Sequence, residues 1–201
     1  MPKLRTTTWK RRNYERLERV REEAVKVGLS YPIIIDVGPG GLTRFLLDYF
    51  PSGKREYWTP MQKLRRGVLK LVDDFCRRNN FVNLESSEPQ EIADLFNDLQ
   101  PQKIVVVDSQ PKVIEAVKRM VQRNGMSIPF DYIILDLLSE RIPYKGDVVI
   151  AYNVAQIMPN PERTIETIAN SVNIGGLLSL DRDVELTGFR RIDRGLYVKQ
   201  Y

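Results

Sequence analysis

The segment PIIIDVGPGGLTRF, residues 32–45, begins as a short apolar run, reaches Asp36, and passes through glycines into residues that favour a helix. A strand that ends in a glycine-rich turn and enters a helix directs backbone N–H groups and the positive end of the helix dipole towards one point. Such a point usually receives a nucleotide cofactor. The segment therefore predicts a cofactor-binding turn, and the carboxylate of Asp36 bears on which cofactor it accepts.

Composition narrows the possible chemistry. The chain has 201 residues with 42% hydrophobic content, enough for one domain with one core. It has one cysteine and no histidine, which excludes a disulfide framework, multi-cysteine zinc sites, imidazole metal sites and Ser-His or Cys-His nucleophiles. The N-terminal residues lack the apolar core of an export signal, so we expect a cytoplasmic protein with no membrane segment and no bound metal.

The chain alternates between helical and strand patterns. The periodicity predicts a helix over roughly 9–28, a strand at 33–36 and a helix near 41–50. Helices are also expected in MQKLRRGVLKLVDDFCRRNN, EPQEIADLFNDL, SQPKVIEAVKRMVQRNG and NPERTIETIANSVNIGG, and strands in KIVVVD, DYIILD, DVVIAYN and LLSLD. The last segment, GFRRIDRGLYVKQY, has the pattern of two strands about a tight turn at Asp193–Gly195.

This alternation predicts an α/β fold. We expect a doubly wound, mostly parallel Rossmann-like sheet of seven strands with an antiparallel C-terminal hairpin. Residues 1–30 form a basic helical segment, and residues 31–201 form the main domain. Asp36 and Asp108 are 72 positions apart, whereas comparable nucleotide folds place the second acid about 20 residues after the glycine turn. A helical insertion near 51–100 is therefore expected, lying outside the sheet core either as extra packing or as a lid.

Two familiar nucleotide fingerprints do not fit. The dinucleotide pattern G-x-G-x-x-G needs glycine where Thr43 stands, and the phosphate loop G-x-x-x-x-G-K-[ST] is also absent. Asp36 would place a negative charge beside a pyrophosphate but would favour a ligand that carries an ammonium group.

In these features the sequence resembles the class I S-adenosylmethionine-dependent methyltransferases. DVGPGGLTRFL is similar to the family's first strand and turn, KIVVVDSQPKVIEAVKRM to its second strand, IILDLLSERIPY to its third, and TGFRRIDRGLYVKQY to its closing hairpin. The resemblance covers roughly 31–50 and 101–201. One departure is Leu42, which stands where the family usually has a third glycine.

The resemblance implies S-adenosylmethionine as cofactor and a methyl acceptor that the sequence does not identify. The residues it assigns to the cofactor are Asp36, Gly38, Gly40, Gly41, Asp108, Ser109, Asp136, Leu137 and Asn153. The glycine turn would hold the methionine end, Asp108 the ribose hydroxyls, and Asp136 with Leu137 the adenine.

Structural roles compete with these assignments. Asp36 and Asp108 could cap the backbone that follows them, and Asp136 could simply end a strand. Tyr152 and Asn153 lie where family members approach substrate and cofactor, but they could also only satisfy loop hydrogen bonds. No residue is identified as catalytic. If the acceptor must lose a proton, the available groups at strand ends are Asp181, Asp183 and Tyr152.

The partner is the least determined feature. The first thirty residues concentrate positive charge, which could meet nucleic-acid phosphate or could form the solvated face of an amphipathic helix. A methyltransferase fold that serves as a nucleic-acid adaptor without catalysis, and a related adenosyl-group enzyme such as an aminopropyl transferase, are the two alternatives to methyl transfer.

Overall fold

The computed structural model describes residues 8–39, 88–152, 154, 158 and 160–201, with side chains described from residue 13. The predictions for a helix near 41–50, an amphipathic helix at 61–79 and the contacts of Gly40, Gly41 and Asn153 lie outside these residues. Elements are numbered over the described part of the chain.

In the described part of the chain, each apolar run predicted to be a strand forms one. The strands are β1 Ile33–Val37, β2 Lys103–Asp108, β3 Phe130–Ile134, β4 Gly146–Ala151, β5 Val172–Leu180, β6 Phe189–Asp193 and β7 Leu196–Lys199. The helices are α1 Thr8–Lys26, α2 Glu88–Phe96, α3 Pro111–Asn124 and α4 Pro161–Asn170, with a 3-10 turn at Asn97–Leu99. The expected alternation of helices and strands is confirmed.

Within the described residues, the strands form one seven-stranded sheet in the order β3-β2-β1-β4-β5-β7-β6. Neighbours from β3 to β5 pair in parallel, whereas β7 is antiparallel to both β5 and β6. The C-terminal hairpin is therefore confirmed, and its antiparallel strand β7 lies inside the sheet while β6 forms the edge.

Strand side chains alternate between the two faces of the sheet, and helices cover both. On one face, Ile34, Ile104 and Ile150 pack with apolar residues of α1, α2 and α3. On the other face, Ile35 and Val149 pack with α4 and with the segment after β3. This double cover explains why the strands are continuous apolar runs.

The proposed insertion near 51–100 is described only in its last part. Helix α2 buries Ile92, Ala93 and Phe96 in the same cluster as β1 and β2. Residues 88–96 are therefore a helix that packs on the sheet before β2, and the insertion near 51–100 stays a prediction.

Strand β5 begins earlier than the sequence suggests. The glycines of NIGG were expected to close a helix, but α4 ends at Asn170 and β5 begins at Val172. Gly175 has a φ of +78°, and a Cβ on Gly176 would lie 2.9 Å from the Asp147 carbonyl oxygen. The glycines form a bulge, marked by a register shift between Gly146 and Val148 on the neighbouring β4.

Candidate functional site

The carboxyl ends of β1, β2 and β4 meet at one edge of the sheet. Val37 is in register with Val107, and Asp36 with Ile150. In the observed order the connections run to opposite sides of β1, so the crevice between β1 and β4 is the topological switch point where open α/β sheets bind ligands. The site predicted from the glycine turn thus lies where the topology places a ligand.

Gly38, in the turn after β1, contacts the end of β2 and the segment after β4. Its N–H donates to the Val107 carbonyl at 2.7 Å, and its φ of +66° lies in the left-handed region. A Cβ at this position would lie 2.6 Å from Cγ2 of Val154, in the segment after β4. Glycine is required here for both conformation and close approach.

Asp36 is fully buried, with 0% of its surface exposed. It faces the side of the sheet that α1 and α2 cover, as its neighbours Ile34 and Ile150 do. Its charge therefore acts through the protein interior, directly beneath the glycine turn. Direct contact between Asp36 and a cofactor stays a prediction.

Asp108 and Ser109 follow β2 at the same edge. Asp108 is half-buried, and its Oδ1 accepts a hydrogen bond of 2.8 Å from the Gln110 N–H, just before α3 begins. Ser109 is exposed. The N-cap of α3 is Gln110, so Asp108 is not the N-cap; its hydrogen bond holds the turn before the helix. A carboxylate has about four acceptor positions, so this bond leaves the group chemically able to accept from hydroxyls as well.

Asp136 and Leu137 have clear structural roles. The exposed Asp136 accepts hydrogen bonds from the Leu138 N–H at 3.0 Å and from the Ser139 hydroxyl at 3.1 Å, so it organises the turn after β3. Leu137 is buried in the core cluster. Their assignment to the adenine stays a prediction.

Tyr152 has the structural role that the sequence left as an alternative to a substrate contact. Tyr152, directly after β4, is fully buried, and its hydroxyl lies 2.9 Å from Oγ of Ser179 on β5. The Arg16 guanidinium from α1 lies over its ring, 5.7 Å from the centroid, and donates to the Asp181 carbonyl at 3.0 Å. Tyr152 therefore connects α1 to the ends of β4 and β5, and its buried hydroxyl bonds to Ser179 inside the protein.

Burial raises the pKa of Tyr152 well above its ordinary value of 10.0. The hydrogen bond with Ser179 and the charge of Arg16 oppose that rise, while the negative charges of Glu88 and Asp36 add to it. The phenol therefore stays protonated at neutral pH. Sequence alone left this structural role and a ligand contact open, because a tyrosine after a strand is compatible with both.

Tyr152→Phe tests this assignment through its pH dependence. Near pH 8 we expect a cost of about 1 kcal/mol, since the Ser179 hydroxyl loses its partner. Above pH 10 the wild type loses stability because tyrosine ionises in the unfolded chain before it ionises in the fold. The phenylalanine variant has no phenol at this position and does not lose stability in this way. The difference in free energy of unfolding between the two proteins should therefore shrink by about 1 kcal/mol by pH 11.

The measurement is urea unfolding of both proteins from pH 8 to 11. Ser179→Ala is the matched control, because it removes the same hydrogen bond but keeps the phenol and hence the alkaline loss of stability. A difference between wild type and Tyr152→Phe that is constant with pH would contradict a buried, neutral Tyr152.

The basic face of α1 is partly engaged inside the protein. Arg19 pairs with Asp193 at 2.6 Å, Arg21 pairs with Asp98, and Arg16 makes the contacts described above. The side chains of Lys10, Arg11 and Arg12 lie outside the described residues. For Arg16 and Arg19 these contacts favour a structural role over the predicted nucleic-acid contact.

The described residues include neither a membrane-spanning helix nor a metal-binding cluster. Among those residues, no helix combines the length and the apolar character needed to span a bilayer. The same part of the chain contains no cluster of three or more acidic or cysteine side chains arranged to hold a metal ion.

Residues 89–180 match the model of a family described as a methyltransferase domain. The match includes α2 through β5 and so covers Asp108, Asp136 and Tyr152, while β1 and its turn precede it. No curated protein sequence matches the chain.

Solved structures of methyltransferases are similar to this chain at low sequence identity. The N-methyltransferase NodS from Bradyrhizobium japonicum WM9, in complex with S-adenosyl-L-homocysteine, is 14% identical with a TM-score of 0.50, covering 90% of this chain and 66% of NodS. Coclaurine N-methyltransferase bound to N-methylheliamine and SAH is 14% identical with a TM-score of 0.49, and the match covers 89% of this chain and 38% of that protein. An S-adenosylmethionine-dependent methyltransferase from Clostridium acetobutylicum ATCC 824 is 9% identical with a TM-score of 0.49. That match covers 83% of this chain and 49% of the other. This chain thus spans 38% to 66% of their lengths. The likeness to NodS shows the fold.

Proposed function

We propose that the protein is an S-adenosylmethionine-dependent methyltransferase that binds its cofactor where β1, β2 and β4 end. The observation that carries the proposal is the Gly38 turn, held between Val107 and Val154 at the switch point of a methyltransferase domain. NodS, which shares the fold, is described in complex with S-adenosyl-L-homocysteine. The methyl acceptor is not assigned.

The residues at this edge fit the cofactor. The missing Cβ of Gly38 lets a ligand approach the backbone of the turn. Asp108 offers a carboxylate at the end of the adjacent strand, with the geometry and chemistry to accept hydrogen bonds from ribose hydroxyls. Asp36 supplies negative potential beneath the turn, which favours a ligand that carries an ammonium and a sulfonium group.

The chemistry asked of the protein is mainly positioning. Bound S-adenosylmethionine supplies an electrophilic methyl group, and alignment of the two reactants can lower a barrier by about 7–11 kcal/mol. Tyr152 is buried and hydrogen-bonded to Ser179, and Asp183 accepts from the Gly195 N–H at 2.7 Å, so both have structural bonds. Asp181 also has an interaction within the protein, so none of these three groups is assigned as the base.

Asp108 provides the first test. We expect Asp108→Ala to weaken S-adenosylhomocysteine binding by about 1–3 kcal/mol, roughly 5- to 150-fold, because charged hydrogen bonds to the ribose are lost. Asp108→Asn, which keeps an acceptor for the Gln110 N–H, separates the ribose contact from the turn. Isothermal titration calorimetry measures both, with the exposed Asp94→Asn on α2 as the control.

Unchanged affinity in both Asp108 variants would place the ribose contact elsewhere. Failure of the wild type to bind S-adenosylmethionine or S-adenosylhomocysteine would favour the adaptor alternative. If the cofactor binds, the mass added to an acceptor distinguishes methyl transfer from aminopropyl transfer.

A further inference from the structure

Arg182 stands two residues beyond the end of β5, and part of its charged group is buried. Atoms Nε and Nη2 of its guanidinium are shielded from solvent and have no hydrogen-bond partner in the part of the chain that the structure describes. An arginine side chain is always protonated and carries five donors in a rigid fork. Buried cationic donors without a partner are costly, and folded proteins generally provide them with an anion.

Within the described residues, no carboxylate accepts from Nε or Nη2 of Arg182, although acidic residues are close in sequence. Asp183 accepts from the Gly195 N–H at 2.7 Å and lies 3.5 Å from Arg191. Asp193 pairs with Arg19 at 2.6 Å and accepts from the Arg194 N–H. Both carboxylates are thus committed to the loop and hairpin that surround Arg182.

The position of Arg182 relates it to the candidate site. Leu180, the last residue of β5, is in register with Ala151, the last residue of β4. β4 lies between β5 and β1, so Arg182 and the Gly38 turn stand on opposite sides of the β4 end, at the same carboxyl edge. This is the side of the site away from the strands assigned to the cofactor.

We propose that Arg182 binds an oxyanion, a carboxylate or a phosphate, carried by the methyl acceptor. The proposal rests on the proposed function for the identity of the site. A guanidinium matches both oxyanions through two parallel N–H donors, and two buried atoms of this guanidinium, Nε and Nη2, have their hydrogen bonds unused. The structure therefore assigns an anionic substrate class to the enzyme.

The first test needs no substrate. Arg182→Met keeps the apolar stem and removes the unpaired cation, so in an anion-poor buffer its Tm should rise by about 2–4 °C. Arg190→Met removes the same charge from an exposed position on β6 and should leave Tm unchanged. A lower Tm for Arg182→Met would mean that the guanidinium stabilises the fold, and it would overturn the proposal.

The second test measures anion binding directly. Millimolar sodium phosphate or sodium benzoate, at constant ionic strength, should raise the Tm of the wild type and of Arg190→Met. For Arg182→Met the apparent affinity for the preferred anion should fall at least tenfold, and Arg182→Lys should be intermediate. The stronger of the two anions indicates whether the acceptor carries a phosphate or a carboxylate. Equal responses in wild type and Arg182→Met, or none in the wild type, would contradict the proposal.

Calorimetry with S-adenosylhomocysteine separates the two levels of the inference. Arg182→Met should bind it with the affinity of the wild type. A loss of affinity would assign the anion to the cofactor's own carboxylate and overturn the assignment to the acceptor. Absence of binding in the wild type would instead remove the proposed function, while the anion measurements would still report on Arg182.

Discussion

Gly38→Ala is expected to weaken S-adenosylhomocysteine binding by about 10- to 100-fold. The added Cβ would lie 2.6 Å from Cγ2 of Val154, too close for any real contact, and the φ of +66° is strained for alanine. Relief of such overpacking costs about 1–3 kcal/mol, and the turn must move away from β4 to obtain it. Calorimetry on the purified variant measures the loss.

Two companion variants isolate the cause. Gly28→Ala has a comparable φ of +75° but no atom within 4 Å of its Cβ, so it should lose stability without losing affinity. Val154→Ala in the Gly38→Ala background removes the clashing methyl groups and should restore most of the binding. Full affinity in Gly38→Ala alone would mean that the turn does not hold the cofactor.

Gly195→Ala should be the most destabilising small substitution on the hairpin side, by about 2–5 kcal/mol. Its Cβ would lie 2.2 Å from the Leu180 carbonyl oxygen, which is backbone and cannot rotate away, and its φ is +66°. The Gly195 carbonyl also accepts from the Leu180 N–H at 2.7 Å, so the turn and the end of β5 would separate. Urea unfolding gives the free energy.

The control for this change is Gly125→Ala, which follows α3. Its φ is +59° and its Cβ would meet nothing within 4 Å, so only the conformational strain of about 1–2 kcal/mol applies. Equal losses in the two variants would show that the contact between the hairpin turn and β5 is not tight.

Local sequence patterns predicted most of the described strands and helices, because burial and backbone conformation in the folded protein require the same residue types. KIVVVD is a strand because both of its faces are buried, and the turn before Leu196 is tight because Gly195 has a positive φ. The start of β5 was missed for a physical reason. Glycines after a helical pattern usually end the helix, whereas Gly175 and Gly176 form a bulge that only the neighbouring β4 makes necessary.

Sequence predicted the residues of the candidate site where the backbone conformation requires one residue type. It predicted them less well where the role depends on contacts between distant elements. Gly38 shows its role through its dihedral angle and its contact with Val154. The burial of Tyr152 and the position of Arg16 depend on how α1 packs across the sheet, a long-range contact that periodicity does not encode. The hydrogen bond from the Gly195 N–H to Asp183 likewise depends on the hairpin. Nε and Nη2 of Arg182 are buried and have no hydrogen-bond partner in the described residues, which no local pattern predicts.

The neighbouring strands β1 and β2 have 65 residues, 38–102, between them along the chain. Each doubling of a connection adds only about 0.6 kcal/mol of chain entropy, so lengthening it from about 20 residues to this value costs about 1 kcal/mol. Meanwhile the register from Ile33↔Lys103 to Val37↔Val107 is maintained by the strands themselves. The length of this connection can therefore change at little thermodynamic cost while the ends of β1 and β2 keep their spacing.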